Sequence, residues 1–222
     1  DQDYVSDGIA EELLHLLAKI PELRVVSRSS AFSFKGQDVD IPTVAKHLNV
    51  AHVLEGSVQK SGNRLRISAK LIEARTDTHM WSKTYDRTLD DIFAIQDEIS
   101  GDVVEQLKVT LLGDLPKGQQ TDPQAYSLYL QGRYFNDIRG EEDLEKAIAA
   151  FKAALTIDPN YAPAWVGLQL TYSLQITHAY RTKEENFPLA MEAIKTALAI
   201  DENMVAALAG LAYMKRTFEW DW

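Results

Sequence analysis

The stretch AIAAFKAALTIDPN at residues 147–160 recurs as AMEAIKTALAIDEN at residues 190–203. Matching residues in the two copies are separated by a constant offset of 43, and the match continues into the next segment, where Gly167 corresponds to Gly210. The other pairs include Ala147 with Ala190, Ala154 with Ala197, Leu155 with Leu198, Ile157 with Ile200, and Asp158 with Asp201. An internal repeat of this length predicts stacked supersecondary units, each burying its apolar face on the next.

These residues resemble the tetratricopeptide repeat, a helical hairpin with small, aromatic and proline residues at fixed positions. Gly132, Phe151 and Pro159 occupy such positions. Alanines fit where two helices approach closely, and aromatic rings fill the space between hairpins. We predict two full units at about residues 125–160 and 162–203, with a truncated third completing residues 125–222. The resemblance implies an all-α, right-handed superhelix, and we expect the natural protein to continue with further repeats.

The resemblance also implies where a ligand binds. In this repeat family the concave face, lined by the first helix of each hairpin, usually holds a protein or peptide partner. Tyrosines and arginines on this face favour a peptide with an acidic or aromatic element. The alternatives are a solvated helix face or one covered by further repeats. By position, the predicted partner-binding residues are Tyr126, Tyr129, Arg133, Asn136, Leu170, Ser173, Tyr213 and Arg216.

The first half of the chain alternates helical and strand patterns. Residues 6–21 have apolar residues at helical spacing, and LRVVSR at residues 23–28 reads as a short strand. Residues 52–60 and 64–74 flank the turn cluster at residues 61–63 and predict a β-hairpin, with a third strand at residues 78–85. A long helix is expected at residues 89–112. The Gly-, Pro- and Gln-rich stretch at residues 113–124 is predicted to be a linker.

The segments SDGIAEELLHLLAKIPELRVVSRSSAFSFKG, LEGSVQKSGNRLRISAKLIEA and DIFAIQDEIS resemble the TolB N-terminal-like α/β domain. That module precedes tetratricopeptide repeats in many bacterial signalling proteins, among them class III adenylate cyclases and membrane-anchored transcriptional regulators. The resemblance implies that residues 1–112 form an α/β (α+β) domain with a small mixed sheet and packed helices. Members usually begin with a hydrophobic strand that is missing here, which would leave an open edge. A homodimer built by edge pairing is therefore a hypothesis.

Recognisable chemistry is scarce in the sequence. There is no cysteine, and the five histidines lie in no metal-ligand spacing. No glycine-rich phosphate loop or nucleophile elbow occurs. The net charge of -10 argues against a nucleic-acid partner. We therefore predict no catalytic residues, no metal, no cofactor and no enzymatic activity.

Two functions remain. The first is a non-catalytic, protein-interaction and regulatory segment of a larger bacterial signalling protein associated with a cyclase or transcription regulator. The alternative is a small-ligand sensor domain coupled to a repeat scaffold. No stretch is long and apolar enough to span a membrane, so we expect a soluble fragment without membrane contact, cytoplasmic or periplasmic. A membrane-anchored parent protein is one of the alternatives.

Overall fold

The structure, a computed structural model, describes residues 3–21, 23–107 and 120–219. The chain divides into two compact units, Asp1–Gln120 and Thr121–Trp222. Each unit has its own core. The first is mixed α/β and the second consists of helices, so the two are described separately.

The first unit contains four α-helices and three strands in its described residues. In chain order they are α1 (Asp3–Ala18), α2 (Arg28–Phe32), α3 (Ile41–Leu48), β1 (His52–Ser61), β2 (Arg64–Glu73), β3 (Thr78–Thr88), a 3-10 turn (Leu89–Asp91) and α4 (Ile92–Gln106). The strands form one antiparallel sheet in the order β1-β2-β3.

The sheet is apolar on one face only. On β2 the alternating residues Leu65, Ile67, Ala69 and Leu71 are buried, as expected for an antiparallel sheet with one face on the core. Ile67 lies opposite Tyr85 of β3. The Tyr85 hydroxyl reaches α4, so the helices cover this face. We call it the core face, and the opposite face the wet face.

The predicted mixed sheet is wrong, because all strand pairs in the described residues are antiparallel. Residues 23–28 were expected to form a strand, yet residues 23–27 join no ladder there and Arg28 begins α2. Ser27 caps that helix by accepting a hydrogen bond from the Ser30 backbone N–H. An extended segment counts as a strand only when a neighbour pairs with it, and a cavity separates residues 23–27 from β1.

The predicted helix at residues 89–112 begins as the 3-10 turn and continues as α4. Thr88 and Asp91 form a capping box there, which explains the tight first turn. Residues 108–112 lie outside the described residues. Within α4 the buried Ile92, Ile95 and Ile99 form the expected apolar stripe.

A polar bridge fixes β3 to α4. The Tyr85 side chain is buried, and its hydroxyl donates to Asp102 Oδ2 at 2.9 Å. Lys83 Nζ donates to the same oxygen at 3.0 Å and to Glu98 Oε1 at 2.6 Å. Burial, with the hydrogen bond to Asp102, raises the pKa of Tyr85 well above its usual range. The phenol therefore stays protonated and keeps donating.

Asp102→Ala should destabilise the first unit, because it leaves the buried Tyr85 hydroxyl without its acceptor. We expect a loss of about 1–3 kcal/mol in the free energy of unfolding. Glu98→Ala removes the more exposed carboxylate from the same lysine and should change stability by less than about 0.5 kcal/mol. Urea unfolding followed by the amide NMR signals of β2 and β3 measures both. Equal effects of the two substitutions would contradict this interpretation.

The second unit is a succession of helices. They are α5 (Pro123–Ile138), α6 (Glu141–Ile157), α7 (Ala162–Thr177), α8 (Lys183–Ile200) and α9 (Val205–Met214), followed by a π-helical turn (Lys215–Glu219). Each helix packs on the next one in the chain, which gives two hairpins and a further helix. Asp122 caps α5, so the last two residues of the predicted linker are helical, and residues 113–119 lie outside the described residues.

Phe151 of α6 is held between two glycines. A Cβ added at Gly132 of α5 or at Gly167 of α7 would lie 2.6 Å from the Phe151 ring. Such contacts are far below van der Waals distance, so the three helices approach this closely only because both positions lack a side chain. The next hairpin has a related but looser contact, since a Cβ at Gly210 would lie 3.1 Å from Ile194 Cδ1 and 2.6 Å from Gln169 Oε1. Gly210 and Ile194 are each 43 residues beyond Gly167 and Phe151, so the sequence repeat corresponds to a repeated contact between helices.

Gly167→Ala should destabilise the second unit even though alanine is the better helix former. Propensity alone would stabilise α7 by about 1 kcal/mol. The Phe151 ring cannot retreat, because Gly132 closes its other side, so we expect a net loss of about 1–3 kcal/mol. Hydrogen exchange of the α6 and α7 amides measures it, with α4 amides as the internal reference.

The control is the same glycine substitution in a chain that carries Phe151→Leu. A smaller side chain leaves room for the added methyl group, so the penalty of Gly167→Ala should shrink or reverse in that background. An unchanged penalty would show that the ring is not the cause.

Candidate protein-binding surface

The eight residues predicted to line a partner groove differ in exposure. Tyr126, Asn136 and Ser173 are buried, with 2%, 5% and 1% of their surface exposed. Tyr129 and Arg133 are half-buried, and the rest are exposed. The first three side chains therefore serve the packing of the helices in the structure as it stands.

Buried polar side chains connect neighbouring helices. Thr171 Oγ1 donates to Asn136 Oδ1 at 2.8 Å and so joins α7 to α5. Ser173 Oγ donates to the Gln169 carbonyl at 2.9 Å and lies 3.0 Å from Met214 Sδ of α9. Buried polar atoms need such partners, because desolvation without a hydrogen bond is costly. The sequence did not predict that Asn136 and Ser173 connect packed helices, since the position of a residue on its own helix does not show which neighbouring helix covers its side chain.

Tyr129 belongs to an aromatic cluster at the start of the second unit. Its ring meets Tyr161 edge-on at 5.2 Å and lies 5.9 Å from Phe151. Arg133, one turn further along α5, places its guanidinium carbon 5.6 Å from the centre of the Tyr129 ring. The arginine thus has a cation–π contact that holds its side chain over the ring.

The remaining predicted residues lie on α7, on α9 and on the π-helical turn that follows α9. Leu170 and Tyr213 are 46% and 36% exposed, and Arg216 is exposed as well. Tyr213 OH lies 3.5 Å from Thr177 Oγ1, which connects the two helices. We refer to Leu170, Thr177, Tyr213 and Arg216 as the α7–α9 surface. It combines an aliphatic group, a phenol and a guanidinium, the groups that anchor many protein interfaces.

The insertion between α7 and α8 is tied to α6. Arg181 donates to Glu141 Oε1 at 3.0 Å and to Glu145 Oε1 at 2.7 Å. The hydrogen bond to Glu141 and the charge of Glu145 raise the pKa of Arg181. Glu145 also accepts from the buried Gln175. Two carboxylates four residues apart on α6 were the signal in the sequence for one side of this ion-pair cluster.

Asn136→Ala should lower the stability of the second unit by about 1–2 kcal/mol, because a buried hydrogen bond is lost and a small cavity remains. Arg216→Ala shortens an exposed side chain of the same predicted set, so it should change the free energy of unfolding by no more than about 0.5 kcal/mol. Hydrogen exchange of the α5 and α7 amides compares the two. A stable Asn136→Ala chain would return this residue to the set of candidate binding residues.

Comparison with known proteins gives one relationship. No family model matches the chain. Over 178 residues the chain is 38% identical to a protein of Rhizobium meliloti (strain 1021) named "Putative adenylate cyclase 3". These residues make up 77% of this chain and 30% of that relative. The chain is thus similar to an adenylate-cyclase-related protein and spans less than a third of its length.

This similarity overturns the expectation that the protein is not an enzyme, because the relative carries the name of an enzyme. The expectation rested on missing catalytic motifs within this chain. In a multidomain protein the reacting groups can lie on another domain, so a motif search over one part does not exclude activity.

Among the described residues, no helix is long and apolar enough to cross a membrane.

Proposed function

We propose that this chain is a segment of a signalling protein with adenylate cyclase activity, and that its second unit binds a protein or peptide partner. The observation that carries the first part is the 38% identity over 178 residues to the protein named "Putative adenylate cyclase 3". A cyclase converts ATP to cyclic AMP, so the intact protein would produce a second messenger. The segment described here would supply recognition.

We further propose that the two hairpins are tetratricopeptide repeats and that the first unit is a TolB N-terminal-like domain. The glycine–aromatic contact supports the repeats, because Gly132 and Gly167 admit Phe151 and Gly210 lies close to Ile194 at the equivalent position of the next hairpin. The β1-β2-β3 sheet with helices on one face is compatible with the domain type. Tetratricopeptide repeats bind segments of other proteins, which fits a regulatory role beside a cyclase.

The α7–α9 surface is the part of the predicted groove that a partner can reach. Tyr213 and Arg216 offer a phenol and a guanidinium, and a guanidinium binds carboxylates in bidentate fashion. Leu170 of α7 is 46% exposed and offers an apolar group. We therefore expect the partner to present an acidic side chain next to an aromatic or aliphatic one. Tyr129 and Arg133 extend the candidate site along α5.

The cyclase assignment is tested on the intact natural protein by measuring the conversion of ATP to cyclic AMP. Production above a vector control supports it. The absence of cyclic AMP from folded, intact protein supplied with ATP and Mg²⁺ or Mn²⁺ would overturn it.

The binding assignment is tested by selecting peptides from a displayed library on the 222-residue chain. We expect acidic–aromatic peptides whose affinity falls at least tenfold with Arg216→Glu, because the charge that meets the carboxylate is reversed. Lys195→Glu makes the same charge change at an exposed position of α8 and should leave binding intact. Equal loss in both variants would indicate non-specific electrostatics and contradict a site at the α7–α9 surface.

A further inference from the structure

A network of hydrogen bonds joins three helices of the second unit. Its central residue is Gln175, in the last turn of α7, with 1% of its surface exposed. The Gln175 side chain accepts from Asn186 Nδ2 of α8 at 2.6 Å and donates to Glu145 Oε1 of α6 at 2.9 Å. Asn186 is buried as well, with 5% of its surface exposed. The buried amide of Gln175 therefore ties α7 to both α6 and α8.

The same carboxylate oxygen holds the insertion between α7 and α8, residues 178–182. Glu145 Oε1 also accepts from the Arg181 guanidinium at 2.7 Å. The backbone N–H groups of Tyr180 and Arg181 donate to the Gln175 carbonyl at 2.9 Å and 3.2 Å. The insertion is thus bonded to α6 through a side chain and to α7 through its backbone. We refer to Glu145, Gln175, Arg181 and Asn186 as the α6–α8 network.

The backbone of the insertion shows that these contacts hold it in a defined conformation. Ala179 has a φ of 56°, in the left-handed region. A residue with a Cβ atom is strained there, and such a conformation persists only where the surrounding structure imposes it. The hydrogen bonds of Tyr180 and Arg181 to Gln175 begin at the next residue. The network therefore stabilises a conformation that the chain would not adopt by itself.

The last turn of α7 also contacts the α7–α9 surface. Thr177, two residues after Gln175, has its Oγ1 atom 3.5 Å from the Tyr213 hydroxyl. Ser173, two residues before Gln175, lies with its Oγ atom 3.0 Å from Met214 Sδ. One side of this turn is thus bonded to α6 and α8, and the other side contacts α9. A displacement of the turn would move Thr177 relative to Tyr213.

The two hydrogen bonds of Glu145 differ in their weight. The Glu145 and Arg181 side chains are 47% and 38% exposed, and an exposed ion pair contributes little to stability. The bond from Gln175 has a buried donor, and a buried donor that loses its acceptor pays the full cost of desolvation. Without Glu145 Oε1, the Gln175 amide must find another acceptor, and the last turn of α7 has to shift with it.

We propose that Glu145 is a positioning residue for the α7–α9 surface, and that it acts through Gln175 and the last turn of α7. Glu145 lies on α6 and is not one of the residues predicted to contact a partner. The inference rests on the proposed partner binding. It adds a residue that fixes the geometry of the surface from another helix.

The first measurement needs no ligand and uses the ¹⁵N-labelled 222-residue chain. Glu145→Leu removes the acceptor, so we expect the amide signals of Thr177 and Tyr213 to shift. Hydrogen exchange in the last turn of α7 should become at least fivefold faster, with the α4 amides as the internal reference. Glu145→Gln keeps an acceptor oxygen and should retain the original signals. Glu142→Leu makes the leucine change at another exposed position of α6 and should have no effect on them.

The second measurement is the affinity of an acidic–aromatic peptide selected on the unmodified chain. Glu145→Leu should weaken binding at least fivefold, whereas Glu145→Gln and Glu142→Leu should stay within twofold. Recovery with glutamine separates the hydrogen bond from the charge of the carboxylate, because glutamine restores only the first.

Three outcomes overturn the inference: unchanged Thr177 and Tyr213 signals in Glu145→Leu, equal disruption by Glu145→Gln, or shifted signals with unchanged peptide affinity. The failure of the proposed function looks different. In that case the unmodified chain selects no peptide, while the amide signals of the three variants still decide whether Glu145 positions Thr177 against Tyr213.

Discussion

The contact of Phe151 with Gly132 and Gly167 is the constraint on which the helical unit depends. One aromatic ring fills the space between three helices, and it fits only because two of them lack a Cβ where they meet it. A larger side chain at either glycine would push α5 or α7 outward and expose apolar surface along the whole hairpin. At the equivalent position one hairpin later Gly210 approaches Ile194 and Gln169, so a glycine again stands where the second helix of one hairpin meets the following helix.

The parts of the structure that could be predicted from the sequence are those that depend on residues close to one another in the chain. The alternation in β2 and the turn at Gly62 specify the hairpin, and helical periodicity with small residues specifies α5 to α8. The burial of Asn136 and Ser173 could not be predicted, because it depends on which distant helix lies over them. Arg181 shows the same limit, because its partners Glu141 and Glu145 are about 40 residues away in sequence and lie within reach only after α6 and α7 pack.

Residues 23–27 illustrate a different limit. Val25 and Val26 have high strand propensity, and the segment is extended as propensity suggests. A β-strand, however, is defined by hydrogen bonds to a second backbone segment. The propensity of single residues therefore predicts the extended conformation and not the partner segment. The expected mixed sheet included a strand at residues 23–28. Because residues 23–27 pair with no strand in the described part of the chain, the three strands that are consecutive in sequence remain as an antiparallel sheet.

The same distinction between short-range and long-range contacts applies to the first unit. Its polar groups at the β3–α4 contact are satisfied, since Tyr85 and Lys83 both donate to Asp102 Oδ2. The three residues come from two elements that are distant in sequence, so helical or strand periodicity alone does not predict the contact. A buried hydroxyl that loses its acceptor costs about 1–3 kcal/mol. The Asp102 carboxylate therefore ties the position of α4 to that of β3.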